Sequence, residues 1–238
     1  MNDALRIEFL VCEGCPHAEP AWRLVQEVAA SLSPDTIIER VEVDSPERAQ
    51  DLGFLGSPSI RINGLDIEGK SITGGGLSCR VYEGGTGVPP RWLLEAALLK
   101  ALKPRGILFL CVANSARSQM AEGLARSLAP ATVKIWSAGS RPAGVRPEAI
   151  AVMKEIGIDI SHHRSKPIGE IPVSEVDTVI TLCDEEECPL FLGKAKRLHW
   201  GLADPAASRG SEEDRLNVFR ATRNELSRRL ETLFGNLK

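Results

Sequence analysis

At 238 residues the chain is long enough for two domains of ordinary size, with 43% hydrophobic and 26% charged residues, as in water-soluble globular proteins. No apolar run reaches the roughly 20 residues of a membrane helix, and Met1-Asn2-Asp3-Ala4 lacks a signal-peptide pattern, so the expectation is a cytoplasmic protein with no membrane partner. The net charge of −3 is uneven: residues 1–103 carry 10 Lys+Arg against 15 Asp+Glu, and residues 104–238 carry 19 against 17, which leaves neither half the basic excess of a nucleic-acid binder.

In chain order, a buried strand is predicted over 5–11, followed at once by Cys12-Glu13-Gly14-Cys15-Pro16. A helix over 17–32 carries Trp22, Val25 and Val28 at helical spacing. A strand over 36–43 and a short helix over 46–52 come next. Strands 59–62 and 65–67 flank Asn63-Gly64, a strong hairpin signal. Residues 69–90 are Gly-rich and read as irregular, and a helix over 91–102 is stopped by Pro104. This β-α-β-α-β-β-α order is that of a thioredoxin-like fold, assigned to residues 1–103. Pro104-Arg105-Gly106 reads as a short junction to a second domain over 104–238.

In the second half, strands are predicted over 107–110, 133–137, 176–182 and 197–200. Helices are predicted over 119–128, 147–156 and 212–234, the last capped by Ser211 with Asp214 three residues on. Strands alternating with helices imply an α/β domain with a parallel, doubly wound sheet.

The segment Cys111-Val112-Ala113-Asn114-Ser115-Ala116-Arg117-Ser118 joins a strand to a helix. A loop there turns successive backbone N–H groups into a cup that binds a tetrahedral oxyanion. Arg117 can close the cup with a bidentate guanidinium. The same positive field is expected to lower the pKa of Cys111, whose thiolate then faces the central atom of the bound ion. Ser118 can donate to that thiolate, and Asn114 is expected to brace the loop. A buried Cys ending a strand is by itself common. Here the strand, loop, helix and the later Asp204 agree.

Cys111-x5-Arg117-Ser118, followed by Gln119-Met120-Ala121-Glu122, resembles the low-molecular-weight phosphotyrosine phosphatase fold, and within it the thioredoxin-coupled arsenate reductases. Ser137-Ala138-Gly139 and Gly201-Leu202-Ala203-Asp204-Pro205 fit the same pattern, over residues 106–235. The resemblance implies arsenate as substrate and Asp204 as general acid. Phosphate-ester hydrolysis needs one nucleophilic cysteine, whereas reducing As(V) to As(III) takes two electrons and a second thiol. Cys183 and Cys188 follow the third strand of this domain, on the edge that lines the ligand crevice. The family's relay maps onto Cys111, Cys183 and Cys188, leaving a Cys183–Cys188 disulfide for an outside reductant. These two cysteines are closer in sequence than in typical members.

Cys12-x2-Cys15 between a strand and a helix has the placement of a redox dithiol. The helix start is expected to lower the pKa of Cys12. Pro58, in Ser57-Pro58-Ser59 before the third strand, fits the proline that faces the dithiol in the thioredoxin superfamily, which this half resembles. The expected electron donor is a thiol/disulfide couple, with no metal and no other cofactor, and thioredoxin or thioredoxin reductase are candidate partners. Cys79 reads as a buried bystander or as a third thiol. His162 and His163 read as exposed, His17 as a neighbour that tunes Cys12, and His199 has no nameable partner. Two rivals stay open: a phosphatase of the same fold, and a thiol-based binding module that holds arsenite or mercury through Cys12, Cys15 and Cys79. The single tyrosine, Tyr82, lies outside the second half, against the phosphatase.

Overall fold

The apolar strands predicted at 5–11 and 107–110 each become an inner strand of a separate sheet. The structure is a computed structural model and describes residues 4–71, 75–184, 191 and 193–235. The chain divides into two compact units, Met1–Leu102 and Lys103–Lys238.

The first unit runs β1 (Arg6–Val11), α1 (Ala18–Leu32), β2 (Ile37–Glu42), α2 (Pro46–Asp51), β3 (Ser59–Ile62), β4 (Leu65–Asp66) and α3 (Arg91–Leu102). The sheet order is β2-β1-β3-β4, with β1 parallel to β2 and antiparallel to β3. α1 buries Ala18, Ala21, Val25, Val28 and Leu32, the three- and four-residue spacing that puts one stripe of a helix against a core. Trp22, the first of its three predicted apolar residues, meets Phe9 edge to face at a ring separation of 5.2 Å. Asn63 and Gly64 both have positive φ, 49° and 78°, as the predicted two-residue hairpin turn requires. The Ser57–Pro58 peptide bond is cis.

The second unit runs β5 (Gly106–Cys111), α4 (Arg117–Leu128), β6 (Lys134–Gly139), α5 (Pro147–Lys154), β7 (Thr178–Cys183), β8 (Lys196–Leu202) and α6 (Glu212–Phe234). The order β6-β5-β7-β8 is parallel throughout. Every residue of β5 is buried, which is what a central parallel strand covered on both faces demands. Ser211 and Asp214 form the predicted capping box: Asp214 N–H donates to Ser211 Oγ at 3.2 Å, and Ser211 N–H to Asp214 Oδ2 at 3.0 Å.

Two expectations need correction. Among the described residues, α-helices pack on one face of the sheet, so the winding expected on both faces is not seen there. α4, α5 and α6 pack on one another, with α4 against β5 and β6. On the other face Leu108, Leu110 and Val179 are covered by Ile171, Val176 and Phe191. Among the described residues that cover contains two short 3-10 turns, Ile168–Glu170 and Val173–Glu175, each preceded by a proline, Pro167 and Pro172, that interrupts a longer helix. Secondly, α4 begins at Arg117, two residues before the predicted start. Arg117 and Ser118 therefore belong to the first helical turn.

Candidate active site

The loop between β5 and α4 is turned inside out by its surroundings. The carbonyl of Val112 accepts from Arg141 N–H at 2.9 Å, that of Ala113 from Ala143 N–H at 3.1 Å, and that of Ser115 from Arg146 N–H at 2.9 Å. The carbonyl of Asn114 accepts from Ser165 Oγ at 2.6 Å and Gln119 Nε2 at 3.1 Å. A trans peptide sets its N–H opposite its C=O. Drawing these four carbonyls outward thus directs the N–H groups of Ala113, Asn114, Ser115 and Ala116 to the other side, toward Cys111. The Asn114 N–H reaches Cys111 Sγ at 3.2 Å, as this argument requires. Such a row of amides at a helix start is an anion-binding concavity.

Asn114 holds the loop in that shape. It is fully buried with φ of 44°, a left-handed conformation that asparagine tolerates better than most residues. Its Nδ2 donates to Ser118 Oγ and to Ser137 Oγ, both at 2.8 Å, and its Oδ1 accepts from Lys166 N–H at 2.8 Å and Gln119 Nε2 at 3.0 Å. Behind it, Ser137 donates to the buried carboxylate of Glu122, which also pairs with Arg126 and Lys166. Burial works to raise the Glu122 pKa. The Ser137 hydrogen bond and the charges of Lys166, Arg126 and His163 outweigh it and leave the group below the ordinary glutamate value. Gly139, at the end of β6, lies so close that a Cβ there would stand 2.5 Å from Val112 O and 2.8 Å from Asn114 N. Of this network, Gln119, Glu122, Ser137 and Gly139 lay in segments singled out in the sequence. Lys166 carried no local signal.

Cys111 is buried, and its Sγ is 2.9 Å from Ser118 Oγ. Arg117 is buried too. One guanidinium nitrogen donates to Leu202 O at 2.8 Å, and the other lies 3.6 Å from Asp204 Oδ1. To grip an oxyanion through its fork, the guanidinium must share or give up these contacts at the end of β8 and just beyond it. Asp204 also caps the 3-10 turn Pro205–Ala207 by accepting from Ala206 N–H at 3.2 Å, so its turn role and its place beside Arg117 coexist. Cys183 ends β7. Leu110 pairs with Thr181, so continuing the register sets Leu182 abreast of Cys111 and Cys183 one residue further along the same edge. Cys188 lies outside the described residues.

In the first unit, Cys12 follows β1, and its N–H donates to Ser57 Oγ at 3.1 Å. The expected lowering of its pKa is not found. Burial pushes the Cys12 thiol up, the Ser57 hydrogen bond pulls it down, and Cys15 and Cys79 push it further up. α1 begins only at Ala18, six residues beyond Cys12, so Cys12 is not part of its first turn. Cys79 is exposed, not buried as preferred from the sequence. Leu77 and Val81 on either side of it are exposed as well. His163 is half-buried and bonds Gln119 Oε1 at 3.0 Å, against the expectation of exposure. His199 Nδ1 has a partner, Thr181 Oγ1 at 2.8 Å. Among the described residues, no three His, Cys, Asp or Glu are gathered in a way that could hold a metal ion, and no helix is long and apolar enough to cross a membrane.

An arsenate reductase of Halalkalibacterium halodurans is 42% identical over 53% of this chain and 92% of its own length. An arsenate reductase of Bacillus subtilis is 42% identical over 52% and 91%. A solved arsenate reductase from Archaeoglobus fulgidus is 26% identical over 55% of this chain and 99% of its own, with a TM-score of 0.48. Residues 106–238 match the family described as low molecular weight phosphotyrosine protein phosphatase, more than half of the sequence and the whole of the loop, the sheet edge and Asp204. The chain belongs to the low molecular weight phosphotyrosine protein phosphatase family.

Proposed function

We propose that the second unit reduces arsenate to arsenite, with the first unit as a thioredoxin-like donor of reducing equivalents. The observation that carries the first part is Cys183, a second thiol on the crevice edge one strand from Cys111. Hydrolysis of a phosphate ester has no use for it. The named activity of relatives 42% identical over residues of this half supports the same reading.

In this mechanism the amides of residues 113–116 and the Arg117 guanidinium bind the ion's oxygens. The Cys111 thiolate, hydrogen-bonded by Ser118, attacks arsenic and displaces an oxygen as water, with Asp204 as the source of a proton. Cys183 then attacks Cys111 Sγ. The S–As bond breaks, its electron pair leaves on arsenic, and arsenite departs as a Cys111–Cys183 disulfide forms. Cys188 attacks Cys183 and passes the disulfide outward.

The donor reading of the first unit rests on Cys12 and Cys15 at the β1–α1 junction, on its β-α-β-α-β-β-α order, and on Ser57 bonding the Cys12 amide. Cys12 attacks the Cys183–Cys188 disulfide and Cys15 resolves the mixed species. An outside thioredoxin or thioredoxin reductase restores the dithiol. The test is arsenate-dependent thiol oxidation by the full chain, run beside hydrolysis of para-nitrophenyl phosphate. Oxidation of two thiols per arsenate, with little hydrolysis, is expected. Hydrolysis without thiol oxidation would make the second unit a phosphatase.

A further inference from the structure

The segment carrying Cys79 is irregular in conformation but tightly held. Ser57 N–H donates to Ser78 O at 2.8 Å, and Arg80 N–H donates to Ser57 O at 3.0 Å. These two bonds make an isolated parallel bridge in which Cys79 stands directly opposite Ser57. Residues opposite one another in a bridge send their side chains to the same face. Ser57 sends its side chain to Cys12, whose N–H it accepts at 3.1 Å. The bridge therefore brings the Cys79 side chain to the face that carries Cys12.

Buried chemistry fixes the bridge. The Arg80 guanidinium is held by Asp66 at 2.6 and 2.9 Å, by Glu68 at 2.7 Å and by Ser59 Oγ at 3.2 Å, and it lies over the Tyr82 ring at 4.4 Å. Tyr82 Oη donates to Pro58 O at 2.9 Å. Gly56 permits the close approach: a Cβ there would stand 3.0 Å from Arg80 N and 3.1 Å from the Cys79 carbonyl carbon. Cys79 itself is exposed, whereas Cys12 and Cys15 are half-buried. The most exposed of this unit's three thiols is thus anchored on the face that carries Cys12 by buried groups.

We infer that Cys79 is a third redox thiol of the first unit, which forms a Cys12–Cys79 disulfide and serves as the outlet to external dithiols. The inference rests on the donor reading for its purpose and on the bridge for its geometry. The Cys79 thiolate attacks Cys12 Sγ of the Cys12–Cys15 disulfide. The Cys12–Cys79 bond forms, the Cys12–Cys15 bond breaks, and the electron pair leaves on Cys15 Sγ, which takes up a proton. An external dithiol attacks Cys79 and frees Cys12, and its second thiol then releases Cys79. The two electrons come from that dithiol, which leaves as a disulfide.

The test uses the full chain, reduced, treated with stoichiometric diamide, digested with trypsin and read by mass. Cys12 and Cys15 share one tryptic peptide and Cys79 lies in another. In Cys15→Ser, the main product of the first unit should be the peptide pair 7–23 with 71–80. Absence of that pair overturns the inference. In an otherwise unchanged chain, Cys79→Ser should slow reduction of the Cys12–Cys15 disulfide by dithiothreitol about tenfold, as expected when an accessible attacking thiol is lost. An unchanged rate overturns the outlet role. The donor reading is tested apart, by arsenate turnover in Cys12→Ser with no thioredoxin added, so either idea can fail alone.

Discussion

Ser118 Oγ lies 2.9 Å from Cys111 Sγ, and Asn114 Nδ2 donates to the same hydroxyl at 2.8 Å. A Cys111 thiolate can only accept, so Ser118 is the donor of this bond in the reactive state. Ser118→Ala should lower arsenate turnover by roughly 10- to 100-fold, the value of one hydrogen bond to a charged group, and Ser118→Thr should retain most of it. Steady-state thiol oxidation by the two variants is the measurement. Equal loss in both would mean that side-chain packing, not the hydrogen bond, is what matters.

Cys183→Ser should stop multiple turnovers of arsenate reduction while sparing any hydrolysis of para-nitrophenyl phosphate, which needs only Cys111, Arg117 and Asp204. Cys111→Ser should abolish both. Arg117→Lys should fail badly in both assays, because one ammonium cannot replace a planar fork already shared with Leu202 O and Asp204. Sustained reduction by Cys183→Ser would remove the relay.

Asn114→Asp keeps a side chain that tolerates the left-handed backbone and exchanges the amide donor for a carboxylate. It should be destabilised by about 2–4 kcal/mol, since Ser118 and Ser137 lose a donor and a charge is buried. Asn114→Gly should recover only the backbone part. Urea unfolding of the two variants separates conformation from hydrogen bonding, and near-native stability of Asn114→Asp would contradict the bracing role.

Stability of the second unit should fall on acidification in two stages. Burial lowers the His163 pKa, the nearby Glu122 charge partly opposes this, and His162, Lys166 and Arg126 reinforce it. A histidine depressed in the folded state binds fewer protons there than when unfolded. Its contribution is therefore present above the ordinary value near about 6.5 and is lost as pH falls below it. Glu122 is also depressed, so its contribution is lost lower still, as pH falls through the carboxylate range. Thermal melts between mildly alkaline and acidic pH should show His163→Gln removing the upper stage alone.

Breaking the Arg80–Asp66 pair should cost more than deleting it. Arg80→Met leaves the buried Asp66 carboxylate without its match and should destabilise the first unit by about 3–5 kcal/mol, whereas Asp66→Asn, which leaves Glu68 on Arg80, and the double change Asp66→Leu with Arg80→Met should each cost less. Both single variants should also reduce the yield of the Cys12–Cys79 peptide pair. A full yield in a folded Arg80→Met chain would show that the bridge stands without its anchor.

What could be read from the sequence was whatever the chain keeps local. The strand, Cys111, the loop and Arg117 are consecutive, and hairpin residues Asn63-Gly64 and cap residues Ser211 and Asp214 act on their immediate neighbours. The groups that shape the loop are not local. Arg141, Ala143 and Arg146 hold it through backbone atoms, which no side-chain pattern reveals, and Lys166 arrives from an irregular segment 52 residues beyond Asn114. Cys79 was misjudged because nothing local in the sequence shows which side chains of an irregular segment enter the core. Here the core contact is made by Arg80 and Tyr82, with Arg80 matched to the equally hidden Asp66.

The outward-turned carbonyls of residues 112–115 have a bearing on discrimination. A cup already bonded on its outer side to residues 141–146 and 165 surrenders little conformational freedom when an ion enters, so any tetrahedral oxyanion of similar size and charge meets the same ready-made geometry. Phosphate, far commoner in cells than arsenate, is then a natural occupant. Selection between the two is left to the step after docking: a thiol can drive the electron pair of an S–As bond onto arsenic, whereas phosphorus(V) is not reduced by thiols. The occupied fraction of the enzyme follows the ratio of the two ions, while its products report only one of them.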